Sequence, residues 1–365
     1  MEFVKPINRD LEAARGALQA WLTDRMDAVD GLEVKAVRRF PLGQSGDLLD
    51  LDVACDGADG GPRERGLVVR VEPTPDYQLF LDTNFLEQYR VIEALGLDGR
   101  TPIPGAVGFE EDRSVIGDRF YVMERVPGQA GDSGLDWVKQ LAPGPSDQLW
   151  RTGLAAMAAL HTADWRALGL DFLDKPGRGG DPLSQELHYY REYYDWVRGG
   201  EDREVIDLAF EWLEAGKPPS APFASIVWGD ARPGNQLFTA PDCCSAVVDL
   251  EQACLGTAES DLGWWCFIED QRRRAFGVGC PDLDYTVGIY EELIGRPVRD
   301  IKYHIVFACL RIAVLRIKLY LLREGQPDQY GKYEGDRNLA ATMLRFVPDR
   351  LSAGEAQLLR RHVDA

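Results

Sequence analysis

The sequence predicts an α+β chain of two lobes, a small β-rich one followed by a large helical one. At 365 residues and 45% hydrophobic composition, the chain exceeds the size at which one core stops growing, so two lobes are expected. Short β-branched runs crowd the first third, and helical periodicity takes over from about Ser146. A β-rich island, ASIVWGDARPGNQLF followed by SAVVDLEQA, interrupts the helical part.

Taken in order, residues 9 to 29 read as an opening helix. The runs VKAVRRF from Val34, LLDLDVAC from Leu48 and GLVVRVEP from Gly66 then read as three strands of an antiparallel meander. PLGQSGD joins the first two strands, and DGADGGPRERG has the polar, Gly-rich composition of an exposed turn before the third. TNFLEQYRVIEALG, from Thr83 to Gly96, has apolar residues at helical intervals. TPIPGAVGF and RFYVMERVPG add two strands that end near Pro127, which puts the small lobe at residues 1–127 and the large one at 128–365. DQLWRTGLAAMAALHTADW, SQELHYYREYYDWV and REVIDLAFEWLEAG are helices, and three or four more follow the island. The most apolar segment, IVFACLRIAVLRIKLYLL from Ile305, carries Arg311, Arg316 and Lys318 at near-helical spacing and so reads as an amphipathic core helix.

Sixty acidic against 41 basic side chains give a net charge of −19, which opposes approach to nucleic-acid backbones and anionic membranes. Neither is an expected partner; the acidity serves solubility or attracts cations. Seven cysteines, without CxxC spacing or a His-rich neighbourhood, form no zinc pattern and fit a reducing cytoplasm. The N-terminus turns charged within ten residues, so no export signal is read there.

The chemistry is carried by Asp230, Asn235 and Asp249. The first two lie in the turn WGDARPGN, and the third ends the run VVD, so two adjacent hairpin strands would bring all three to one edge. Each alone is also an ordinary turn former. Together they are what phosphoryl transfer needs: Asp230 to accept the proton of an attacking hydroxyl, Asn235 and Asp249 to hold Mg²⁺ against nucleotide phosphates.

The stretch resembles the aminoglycoside phosphotransferases and related kinase-like enzymes, whose catalytic loop reads His-Gly-Asp-x-x-x-x-Asn. Gly229, Asp230 and Asn235 match it, and Val248-Asp249, Gly256 and Asp261-Leu262 match the segments that follow. The chain most resembles the branch found beside or fused to acyl-CoA dehydrogenases. The resemblance implies a protein-kinase-like bilobal fold, ATP and Mg²⁺ as cofactors, and a small hydroxylated molecule as acceptor. It also implies that Asp261 braces the catalytic loop and that His161, in MAALHTADW, is a packed structural histidine. Gly43, Ser45 and Gly46 of FPLGQSGDLLDL would cover the phosphates with backbone N–H groups. Main-chain groups near Glu124 and Val126 would bond the adenine, with Met123 either against the base or in the core.

Three positions depart from that pattern. The loop histidine is Trp228, which offers a single indole N–H. The lysine that pairs with nucleotide phosphates is Arg70, which keeps the charge and can fork onto two oxygens. Gln88 stands where a helix glutamate normally pairs that cation, and Glu87, beside it, points about 100° away. These departures keep open a second reading, a catalytically inactive kinase-like module that binds nucleotide and regulates a partner. The aromatics Trp264, Trp265 and Phe267, and those of HYYREYYDW, line an acceptor pocket or fill the core.

Overall fold

The computed structural model describes residues 9–26, 31–40, 47–56, 62–219, 224–277, 282–323 and 334–364. Helix α1 (Leu11–Arg25) opens on an Asp10 cap, whose carboxylate accepts from the amides of Glu12 and Ala13 at 3.0 and 3.1 Å. Strands β1 (Glu33–Arg39), β2 (Asp47–Asp56) and β3 (Pro62–Val71) form the expected meander. β3 starts four residues before Gly66, so the PRER segment, expected as turn, belongs to the ladder: Arg65 pairs with Val53 and Arg63 with Cys55. Helix α2 (Phe85–Asp98) follows, then β4 (Ala106–Glu110) and β5 (Phe120–Glu124). All neighbours are antiparallel in the order β1-β2-β3-β5-β4.

Alternation along this sheet decides what reaches the cleft. Leu67, Val69, Val71, Phe120 and Val122 point to one face and bury against Leu18, Trp21 and Leu22 of α1. The odd-one-out positions, Val68 and Arg70 on β3 with Met123 and Tyr121 opposite them on β5, point to the other face. That face packs against α2 and the helical lobe through Tyr121 and Met123. A one-residue slip would exchange the two sets, and the α1 cluster prevents it.

The large lobe begins with the short strand β6 (Gln129–Ala130), α3 (Asp136–Lys139) and α4 (Pro143–His161), continues through α5 (Pro182–Val197) and α6 (Glu204–Ala215), and then reaches the β-rich island. There β7 (Ser225–Val227), β8 (Gln236–Ala240), β9 (Cys243–Val247) and β10 (Cys254–Gly256) make two small antiparallel sheets, β10-β7 and β6-β8-β9. Helices α7 (Ala258–Phe276), α8 (Leu283–Ile294), α9 (Ile301–Leu322), α10 (Gly335–Phe346) and α11 (Ala353–Asp364) complete it.

Helix α9 departs from the expected amphipathic pattern, for residues 303–311 are all buried, Arg311 included at 2% exposure. It is the central post of the lobe, packed by α7, α10, α6 and α5. A buried guanidinium there must be compensated. Arg311 stacks 4.3 Å from the Trp264 ring and 5.0 Å from the Tyr190 ring and donates to the Gly229 carbonyl. Gly263 sets how closely α7 meets this post, since a Cβ there would lie 2.6 Å from the His304 backbone. The close crossing fixes the start of α7, where Asp261 sits.

Candidate active site

Strand β7 delivers Trp228, Gly229 and Asp230 to the cleft edge of the island. Gly229 adopts φ +92°, and an added Cβ would fall 2.4 Å from Cβ of Gln252, so both conformation and space require glycine. Asp261 holds the turn from below. Its two carboxylate oxygens accept from the amides of Trp228 at 2.6 Å and Gly229 at 2.9 Å. His161 Nε2 lies 2.9 Å from the same carboxylate. A carboxylate only accepts, so Nε2 carries the proton and Nδ1 accepts from the Tyr290 hydroxyl. Asp261 and His161 are buried, and this hydrogen-bonded chain ties the turn to α7, α4 and α8.

Asp230 is met by three donors. Asn235 Nδ2 reaches Oδ2 at 2.7 Å, Trp264 Nε1 reaches Oδ1 at 2.9 Å, and Arg232 Nε lies 3.1 Å from both oxygens. Pro233 opens the 3₁₀ turn Pro233–Asn235 that returns Asn235 onto the carboxylate. Burial opposes the charge of Arg232, but the carboxylates of Asp230, Asp249 and Asp132 outweigh it and hold the guanidinium above its ordinary range. Asp132 in turn bonds Arg272 at 2.7 Å, so a line of alternating charge crosses the mouth of the site.

Asp249 follows β9 with φ +64°, a left-handed conformation that costs a non-glycine residue energy and must be held by its surroundings. The holder is Trp228, whose indole Nε1 lies 2.9 Å from the Val248 carbonyl and 3.1 Å from that of Asp249. The aromatic that replaces histidine therefore packs fully buried and also fastens the two adjacent segments. The Val248 amide donates to the Asn235 carbonyl at 3.0 Å, which closes the hairpin edge that carries Asp230, Asn235 and Asp249.

Arg70 reaches this edge from the small lobe, with Nη1 3.2 Å from Asp249 Oδ1 and Nη2 on Glu251. Burial works against its charge, yet Glu251 and Asp249 raise its pKa above the ordinary value. Neither helix residue pairs it: Gln88 donates to the Thr83 carbonyl at 2.7 Å, and Glu87 holds Lys175 at 3.0 Å. Met123 is half-buried on the cleft-facing side. Glu124 spends its N–H on Gly105 and its carboxylate on Arg65, and Val126 lies just beyond β5. Gly43, Ser45 and Gly46 lie outside the described residues.

Sequence reasoning left Glu251 and Arg232 without roles, and read Trp264 only as pocket lining or core and Arg311 only as a polar position of an amphipathic helix. The first two carried a usable signal, since Arg232 stands two residues after Asp230 and Glu251 two after Asp249, charged side chains close in sequence to the acids singled out. Of the aromatics, Trp265 and Phe267 are core, as are Tyr190, Tyr193 and Tyr194, while Trp264 is buried and also touches Asp230. A cavity of about 70 Å³ lies under α2, with Lys175, Glu186, Tyr190, Gln252 and Arg311 in its walls. Asp230 is not one of its walls. Burial pushes the Glu186 carboxyl there up to about 7.

The sequence profile described as the phosphotransferase enzyme family matches residues 57–280, more than half of the chain. The chain belongs to that family. Acyl-CoA dehydrogenase family member 11 of Gallus gallus is 30% identical over 179 residues, which is 48% of this chain and 22% of that protein. The chain spans only about a fifth to a quarter of the length of the curated relatives it matches. Among solved structures, a Ralstonia eutropha JMP134 chain assigned to the aminoglycoside phosphotransferases superposes with a TM-score of 0.63 at 26% identity, covering 95% of this chain and 94% of that one. A thermostable aminoglycoside phosphotransferase APH(4)-Ia, in a ternary complex with AMP-PNP and hygromycin B, is 15% identical with a TM-score of 0.53, covering 95% and 99%. The fold of this family member is thus the bilobal, kinase-like one. No helix among the described residues is long and apolar enough to cross a membrane.

Proposed function

We propose that the chain transfers the γ-phosphoryl group of ATP to a hydroxyl of a small molecule, with Mg²⁺. The observation that supports this most is the Asp230 carboxylate, aimed by Asn235, Arg232 and Trp264 at the same edge that carries Asp249. Family membership and the nucleotide-bound neighbour support the same reading.

The donor set suits a hard cation. Asn235 turns its Nδ2 toward Asp230, which leaves its amide oxygen for metal, and Asp249 shows Arg70 only its Oδ1 among the described residues. Two oxygen ligands are few, but Mg²⁺ commonly takes one or two protein oxygens and completes its shell with phosphates and water. Bound there, Mg²⁺ would neutralise phosphate charge as it develops. Asp230 would orient the acceptor hydroxyl and take its proton as the new bond to phosphorus forms. Arg232 on Asp230 and Arg70 on Asp249 would supply cations at this edge for a transferred group that is stabilised by charge more than by covalent chemistry.

A screen of hydroxylated metabolites, aminoglycosides and hydroxyacyl compounds for ATP-dependent ADP release tests the reading, with Asp230→Asn as the blank. Turnover that needs Mg²⁺ and vanishes in the variant is expected. Nucleotide binding with no turnover on any compound would favour the regulatory module instead.

A further inference from the structure

Arg70 is the one side chain of β3 that crosses from the small lobe to the acids at the base of the cleft. At 7% exposure its guanidinium has left bulk water, and a buried cation is tolerable only when anchored. The helix that would normally anchor it does not. The Glu87 carboxylate is committed to Lys175, with both oxygens within 3.3 Å, and Gln88 is turned back on its own helix start. Both acids on Arg70 instead come from the large lobe. Asp249 is half-buried and is the proposed metal ligand, so it cannot be the permanent partner. Glu251 is different: its side chain is as buried as that of Arg70, at 9% each, and it meets the other terminal nitrogen. It also sits in a segment that cannot drift, because Trp228 fastens the Asp249 carbonyl and Tyr190 donates to Gln252 at 2.9 Å.

We propose that Glu251 is the positioning residue for Arg70, taking the task of the missing helix acid. The consequence is mechanical as well as electrostatic. An acid on α2 would tie the cation to a helix of its own lobe. Glu251 ties β3 directly to the chain segment that bears Asp249, so the phosphate-binding cation and the proposed metal ligand are set by one ion pair between the lobes. Without Glu251, Arg70 would lean further onto Asp249 and offset charge meant for the metal. This inference rests on reading Arg70 as a phosphate-binding cation.

The test is calorimetric titration of Mg²⁺·AMP-PNP into wild type, Arg70→Ala, Glu251→Gln, Glu251→Asp, Glu87→Gln and the double variant Arg70→Ala/Glu251→Gln, each checked for folding by thermal melt. Glu251→Gln is expected to weaken affinity by about tenfold or more, Glu251→Asp to restore part of it, and Glu87→Gln to stay within about twofold. In the Arg70→Ala background the Glu251→Gln effect should disappear, which a residue acting on its own would not show. Should Glu251→Gln not fold, Glu251→Asp carries the test, with a weakening of roughly threefold expected for the shortened reach. Wild-type affinity in the Glu251 variants, or an undiminished effect in the double variant, overturns the proposal while Arg70→Ala still weakens binding. Wild-type affinity in Arg70→Ala itself removes the phosphate role of Arg70, and the inference goes with it.

Discussion

The indole Nε1 of Trp228 lies 3.1 Å from the main-chain oxygen of Asp249, so the residue that stands in place of the family's loop histidine bonds directly to the strained residue just past β9. Trp228→Phe keeps the ring packing and removes only the donor. Two part-buried carbonyls, those of Val248 and Asp249, then lose a partner, which costs up to about 1–3 kcal/mol. Chemical denaturation should show that loss, and turnover should fall with it as Asp249 loosens. Trp228→His, which returns one N–H, should keep more activity than Phe. A Phe variant as stable as wild type would mean the indole N–H fastens nothing.

Glu186 makes a pH prediction. Burial raises its carboxyl from 4.5 to about 7, against the opposing pull of Arg311 and the Ser260 hydroxyl bond. A raised acid binds more protons folded than unfolded, so stability from this group is full below about pH 4.5 and is lost as pH climbs to about 7. Glu186→Gln accepts the same Ser260 bond and never ionises. Its melting temperature should exceed wild type by roughly 2 °C or more at pH 8 and by little at pH 5. An equal offset at both pH values would show that the carboxyl is charged in the fold throughout.

The proposed metal pair predicts that AMP-PNP binds at least about tenfold more weakly in EDTA than with Mg²⁺, because Asp249 then faces phosphate charge without a bridging cation. Asp249→Asn should remove most of that difference. Equal affinity with and without metal would contradict the assignment of Asn235 and Asp249.

The elements and the turn that carries Asp230 and Asn235 were legible because their signals are local. Alternation in LVVRVEP puts Arg70 on the face opposite Val69, and the interval from Asp230 to Asn235 is a single turn. What escaped depends on contacts between distant segments. Glu251 finds Arg70 across 181 positions, and Arg311 finds Gly229 across 82. The same lack of context misread α9: its Arg311 marks a polar face by periodicity, but aromatic rings from α5 and α7 cover that face and the guanidinium stacks between them. The PRER segment reads as turn from its polar, Gly-rich surroundings; it is strand because β2 is long enough to pair with it.

Asp230→Asn should lower phosphoryl transfer by on the order of 10²-fold or more and leave nucleotide affinity nearly intact. The carboxylate is wanted for two properties, its acceptor-only chemistry and its basicity. Asn235, Trp264 and Arg232 present only donors to it, so whichever way the Asn amide turns, its NH₂ meets either Asn235 Nδ2 or Trp264 Nε1. The variant therefore also pays a local cost of about 1–3 kcal/mol, visible as a lower melting temperature, and turnover must be compared at a temperature where both proteins are folded. Under that condition the remaining loss measures the missing base, because the amide cannot accept the hydroxyl proton. Asp261→Asn separates the two effects from the other side. Its carboxylate touches the amides of Trp228 and Gly229 and not the proposed acceptor position, so stability and activity should fall together. If folded Asp230→Asn turned over an identified substrate at near wild-type rate, Asp230 would not be the proton acceptor and the reading of this turn as catalytic would fail.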